Sequence, residues 1–373
     1  MGTVKCQTIA SMMEELAPKK LAESWDNVGL LVGDGSSKVK KVLVCLDATE
    51  WVIDEAIEKG VDMIVAHHPM IFGSLKRVTA DTVLGRKIIK LISKGISLYS
   101  AHTNYDIAKD GLNDLFAKYI GFKNFELLET TYTEKLYKII VYIPKGHEEK
   151  IFDALMNAGA GQIGNYSRCS FRTEGLGTFL PQEGTHPFIG QEGKLETVNE
   201  TKLGTIVPQS LLNKTIKALI KAHPYEEPAY DIMPLENEGS SLGIGRIGQL
   251  EQETTLSFFA NHIKKALCAE KVKIAGDPNK LIKKVAMLNG AGNKYVNKAR
   301  FAGADVLITG DMQYHEMLDA VEMGMSIIDV GHFTSEKIMI PAVAEYLRNK
   351  CADNGFQVEV LESKSNEDVC VII

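Results

Sequence analysis

No two of the six cysteines, Cys6, Cys45, Cys169, Cys268, Cys351 and Cys370, form a C-x-x-C pair. Their scatter excludes a disulfide framework and a cysteine-type zinc knuckle alike. Long apolar runs are also missing: nothing approaches the roughly 20 residues of a membrane span, and MGTVKCQTIASMMEEL lacks the cationic start, apolar core and small-residue cleavage site of a secretory leader. The expectation is a cytoplasmic protein with no membrane partner. Positive charge is not in excess, since 42 lysines and arginines face 48 acidic residues for a net charge of -6. A broad basic surface that would draw nucleic acid by counterion release is thereby excluded. There is no G-x-x-x-x-G-K-(S/T) phosphate loop and no serine elbow.

What is present is the alternating grammar of an α/β chain. Residues 41 to 46 (KVLVCL) form an apolar run, 51 to 59 have helical spacing, and Gly60 resets the chain; VDMIVA, a helix near 81 to 94, Gly95 and ISLYSA repeat the pattern. The C-terminal third does likewise with KKVAML, a helix over 293 to 302, DVLITG, a helix near 313 to 323 and MSIIDV. The expectation is two related α/β lobes, 1-129 and 238-373. Between them, residues 130-237 read as strand, helix, strand, strand, helix, strand, the order of a ferredoxin-like α+β domain, with a loop over 181 to 200. This segment is taken as an insert.

His67 and His68 close the run VDMIVA, and Pro69 keeps the chain extended behind them. Ligands of open α/β sheets bind at the carboxyl ends of the strands. Adjacent residues on extended backbone point apart, which suits two ions better than one; a pair of polar turn histidines is the plainer alternative. ISLYSA ends in His102-Thr103-Asn104-Tyr105-Asp106, and MSIIDV ends in His332-Phe333-Thr334-Ser335-Glu336. Two H-x-x-x-(D/E) units therefore occupy matching places, and His332 and Glu336 are expected to share a helix face. Nitrogen and carboxylate ligands without thiolate suit Zn, Mn, Fe, Co or Ni, and either Asp106 or Glu336 can bridge a pair of ions. Asp311 is expected near this cleft, in support of a ligand. His315 is expected to be a partly buried helix residue on a core-facing stripe of Tyr314, Met317, Leu318 and Val321. Gly243 to Gly248 (GIGRIG) matches G-x-G-x-x-G but opens no helix, so it reads as close backbone packing rather than a dinucleotide fingerprint. His223-Pro224-Tyr225-Glu226-Glu227-Pro228 reads as a rigid turn presenting Tyr225.

Together SWDNVGLLVG, AHHPMIF, AHTNYD, GIGRIG, TGDMQYHE and GHFTSE resemble the GTP cyclohydrolase 1 type 2 family, also called NIF-three-like. The resemblance covers both ends of the chain. It implies two divalent metal ions held by His67, His68, Asp106, His332 and Glu336, with His102 beside them as a proton shuttle. It also implies a toroidal homohexamer and a CutA/PII-like insert. The leading expectation is a metal-dependent hydrolase, with GTP as the substrate that the family name suggests. A noncatalytic metal-binding regulatory assembly with a PII-like sensor is the rival, and a phosphoesterase a third possibility.

Overall fold

In a computed structural model the chain is described over residues 4–370. It divides into two compact units, one comprising the residues up to Thr131 and from Leu242 onward, the other Tyr132–Ser241. The first unit contains two sheets whose central strands are parallel. In one, the strands run in the order Glu359–Glu362, Lys41–Cys45, Met63–Ala66, Ser97–Ser100 and Gly29–Val32. The first four are parallel and Gly29–Val32 closes the edge antiparallel. Met63–Ala66 is buried at every position. That is why it reads as an unbroken apolar run rather than an alternating one.

The helices Glu50–Glu58 and Val83–Lys94 supply the crossovers, each started by a threonine side chain that accepts a backbone N–H, Thr49 from Val52 and Thr82 from Gly85. Gly95, at φ 67°, ends the second helix in the left-handed conformation that glycine adopts without strain. In the other sheet Lys273–Ala275, Ser326–Asp329, Val306–Gly310 and Leu281–Ala291 lie in that order, followed by the Leu242–Thr255 portion of a long strand. Its three central strands are parallel or flanked antiparallel, and Ala286, Leu307 and Ile327 carry its core.

The expected second lobe ran to residue 373, but the strand Glu359–Glu362 departs from that plan. It pairs parallel with Lys41–Cys45 in the first sheet, Val360 opposite Val42. The segment that follows is hooked in place: Glu55 accepts hydrogen bonds from Ser363 Oγ and from the backbone N–H groups of Lys364 and Ser365. Burial alone would raise the Glu55 carboxyl, yet Lys59 and these donors bring it from 4.5 down to about 2. A depressed carboxylate contributes stability that is complete above its unfolded value and lost as pH falls through the folded one. Stability of the wild type is therefore expected to fall between pH about 4.5 and about 2, and Glu55→Gln to cost about 1–3 kcal/mol at neutral pH with a flatter acid limb. Denaturation midpoints measured across that range check both.

The second unit has the element order strand, helix, strand, strand, helix, strand. Its sheet places Glu196–Pro208 antiparallel between the Leu136–Pro144 part of one strand and Ser170–Phe179. Helices Glu148–Ala158 and Gln209–Ala222 pack Ile151, Leu155 and Leu219 onto Ile139, Val141, Leu203 and Val207. The loop expected over 181 to 200 is shorter, because Glu196 already pairs with Phe179. Tyr225 is held in its turn by an N–H donated to His223 Nδ1 and a hydroxyl donated to Glu200. Among the described residues no helix is long and apolar enough to cross a membrane.

Two sequence expectations resolve differently in the first unit. Gly243 lies inside the strand Tyr230–Thr255, and a Cβ there would stand 1.8 Å from the Glu129 carbonyl oxygen. The glycine run thus serves close backbone packing. The helix Tyr314–Glu322, by contrast, buries only Ala320 fully; Tyr314, His315, Leu318 and Val321 are exposed. Of the expected stripe only Met317 packs against the core, beside Ala320, while Tyr314, Leu318 and Val321 stay exposed.

Candidate metal centre

The strand Met63–Ala66 delivers His67 and His68 to the carboxyl edge of the first sheet, and Ser97–Ser100 delivers His102 to the same edge. His102 caps a one-turn helix, Thr103–Ile107, that carries Asp106. In the second sheet Ser326–Asp329 leads through Gly331, at φ 81°, to the one-turn helix His332–Glu336. Both H-x-x-x-(D/E) units are thus single helical turns at strand ends. All of these residues line one cleft of about 1140 Å³ except His67, which is buried behind it.

Each of the four imidazoles is anchored through Nδ1. His67 Nδ1 lies 2.7 Å from the Ala101 carbonyl, His68 Nδ1 2.9 Å from Asp47, His102 Nδ1 3.0 Å from Asp26 and His332 Nδ1 2.9 Å from Asp311. A carbonyl or carboxylate can only accept, so Nδ1 carries the proton and Nε2 is left to face the cleft. For His67 the consequence is sharp: Nε2 is buried with no hydrogen-bond partner, and burial brings this imidazole down to about 3, so it is neutral with a bare lone pair. An orphaned buried acceptor of this kind costs stability unless something occupies it.

His68 Nε2 and His332 Nε2 stand 3.3 Å apart, at 2.9 and 3.1 Å from Glu336 Oε2. That buried oxygen is thus flanked by both imidazoles. His67 Nε2 lies 3.6 Å from Asp106 Oδ1 and 3.9 Å from Glu336 Oε1. One amide holds the two acids together, Asn289 Nδ2 donating to Asp106 Oδ1 at 2.9 Å and to Glu336 Oε1 at 3.3 Å. Gly290 lies beside this junction, where a Cβ would press 2.5 Å from Glu336 Oε1.

The charged groups of the site shift one another strongly. Burial, with Glu336 nearby, raises the Asp106 carboxyl to about 7. Against a burial penalty, Asp47 and Glu336 draw His68 up to about 10; the Glu336 contact, offset in part by burial, brings His332 to about 9. Burial likewise opposes ionisation of Glu336, yet His332 and His68 hold it well below the ordinary value. The ligand atoms of His68, His332 and Glu336 all lie within 4.8 Å of one another, as do those of His67, His68 and His102, so these groups can hold a metal ion. A nitrogen and carboxylate set without thiolate fits a transition metal.

The structure brings together all five residues expected as ligands and sets His102 among them. His315 lies apart, its ring against Tyr314 at 5.4 Å. Sequence reasoning missed Asp26, Asp47 and Asn289, which hold His102, His68 and the two acids. Asp47 carried a signal, since it follows the carboxyl end of Lys41–Cys45 as His67 follows Met63–Ala66. Its backbone N–H and that of Leu46 donate to Asn366 Oδ1, so the C-terminal segment steadies the residue that orients His68. Asp47→Ala is expected to weaken divalent metal binding about 10–100-fold without unfolding the chain, as read by competition against a chelating dye.

An α/β protein with a cluster of histidines and carboxylates at strand ends, able to hold a metal ion, is the class that this architecture defines, and sequence relationships specify it. The chain belongs to the Duf34/NIF3 (NGG1p interacting factor 3) family, whose model matches residues 4–368. It is similar to proteins named GTP cyclohydrolase 1 type 2 homolog from Halalkalibacterium halodurans, 48% identical over 362 residues and 97% of each chain, and from Bacillus subtilis, 46% identical over 98% of this chain and 97% of that one. The solved structure of a Bacillus cereus protein related to NIF3 is 44% identical, covers 100% of both chains and superposes with a TM-score of 0.94.

Proposed function

We propose that the protein is a metal-dependent hydrolase with two divalent ions per chain, acting on a nucleotide such as GTP. The observation that carries this reading is the buried, partnerless Nε2 of neutral His67 near the Glu336 carboxylate, in a cleft toward which three further Nδ1-anchored imidazoles turn. His67, His68, Asp106, His332 and Glu336 would hold the ions through their nitrogens and carboxylate oxygens. When bound, two such ions lower the pKa of a water and polarise the group under attack. His102, whose Nδ1–H is fixed by the ionised Asp26 at about 2, presents its opposite nitrogen for a proton. The substrate rests on the names of the relatives, GTP cyclohydrolase 1 type 2 homolog. Purified protein is expected to carry two Zn, Mn, Fe, Co or Ni ions per chain and to turn over GTP, with His68→Ala losing at least one ion and the activity. Equal turnover in His68→Ala would end this reading.

A second reading is favoured by the second unit. It has a core of its own, supplies none of the metal-site residues, and has the element order of a ferredoxin-like, PII- or CutA-like sensor. On this reading the protein is a noncatalytic, metal-binding regulatory assembly. Metal in place with no turnover of GTP or of a phosphodiester panel would favour it; turnover of phosphodiesters alone would make the protein a phosphoesterase. We further propose a cytoplasmic homo-oligomer, a toroidal hexamer. The exposed Tyr314, Leu318 and Phe301, the last 82% exposed, support burial against another copy. Light scattering at working concentration tests the oligomer.

A further inference from the structure

The rim of the cleft is built differently from its floor. Trp25 and Phe72 line it and remain 57% and 56% exposed, each standing edge-on to His102 with ring centroids 5.9 and 6.1 Å away. Their chain neighbours are tied down. Asp26, with no side-chain exposure, accepts from His102 and from the Thr103 backbone N–H, while the Asn27 side-chain amide donates 2.8 Å to the Ile71 carbonyl. Two large apolar rings are thus held in water beside the metal residues, by backbone that is itself anchored. They contribute little to a core, and a site that presents fixed aromatic faces is suited to stack a flat ring.

The same cleft contains two lysines, Lys87 on the helix Val83–Lys94 and Lys294, and neither makes an ion pair or hydrogen bond among the described residues. Every other ion-forming residue lining the cleft, histidines aside, is acidic: Glu23, Asp47, Asp106, Glu129 and Glu336. Unpaired cations in such surroundings suit an anionic group that reaches past the acids.

We propose that this rim selects the substrate: a planar aromatic heterocycle packs against Trp25 and Phe72, and its anionic tail is held by Lys87 and Lys294. The inference rests on the cleft being the reaction site, and adds the residues that choose what enters it. A cleft of about 1140 Å³ has room for a molecule of nucleotide size.

The chain has two tryptophans, so Trp51→Phe leaves Trp25 as the sole reporter. In that background, metal-loaded protein is mixed with GTP, guanosine or inorganic triphosphate, and Trp25 emission is followed before turnover. GTP and guanosine are expected to change the emission. Phe72→Ala should weaken both by about tenfold and leave triphosphate binding, read by its competition with GTP, unaltered. The pair Lys87→Met with Lys294→Met should weaken GTP and triphosphate by about tenfold and leave guanosine unaltered. Metal content is measured in every variant. Full metal content with GTP affinity unchanged in both variants overturns the rim assignment alone. Emission that follows protein concentration instead of ligand also overturns it, since another copy then covers Trp25. Absence of metal from the wild type removes the parent reading instead.

Discussion

Glu336→Gln is expected to abolish stabilisation by divalent metal while leaving the metal-free chain folded. Glutamine keeps the volume and one carbonyl oxygen, so Asn289 retains an acceptor at the position of Oε1. What is lost is the charge that His67, His68 and His332 all face. Without a cation, removing that charge relieves a crowded pair of buried acids, since Asp106 is already pushed up to about 7 in its presence. With a cation, the central anionic ligand is gone. A ligand present at about 1,000 times its Kd stabilises the folded state by about 4 kcal/mol. The wild type should therefore gain several degrees in melting temperature on metal addition and Glu336→Gln almost none. A metal response in the variant equal to that of the wild type would remove Glu336 from the ligand set.

The second large effect lies away from the cleft. Arg246, 2% exposed, is among the largest fully enclosed side chains; its Nε donates to Asp114 and one terminal nitrogen donates to the carbonyls of Gly243 and Gly245 at 2.8 and 2.7 Å. Asp114→Ala strands this guanidinium, which cannot shed its proton, and is expected to cost about 3–5 kcal/mol. Replacing both partners, Asp114→Leu with Arg246→Met, should cost much less, because no buried charge is then left alone. Chemical denaturation followed by a probe in the first unit separates the outcomes. Equal loss in the single and double variants would show that packing, not the ion pair, sets the cost.

Much of this was legible in the sequence, for a physical reason. Strands buried on both faces, such as Met63–Ala66, announce themselves as apolar runs, and the polar residues that end them fall at the sheet edge where ligands collect. His67, His68, His102, Asp106, His332 and Glu336 were visible on that basis and through family resemblance. Arg246 and Asp114 were not, because a buried ion pair between residues so far apart leaves no local pattern. Asn289 is one polar residue in a strand, and its importance comes only from the two acids brought to it. The strand Glu359–Glu362 has just two apolar residues between glutamates, too little to reveal that its partner is Lys41–Cys45. Tyr314 and Leu318 show the opposite failure, a clear periodicity of which only Met317 reaches the core.

That last strand also sets a timetable. Asn366, which receives the N–H groups ahead of His68, is 320 residues from Leu46. At about 5–20 residues per second a ribosome needs roughly 15–60 s to make that stretch. Through this interval the first histidines exist without Glu336, and the first parallel sheet lacks its outermost strand. Contacts of such sequence separation form slowly even once the chain is complete. The nascent protein therefore passes through a long period with a bare strand edge and with the two histidines of the first sheet still lacking their partners from the second.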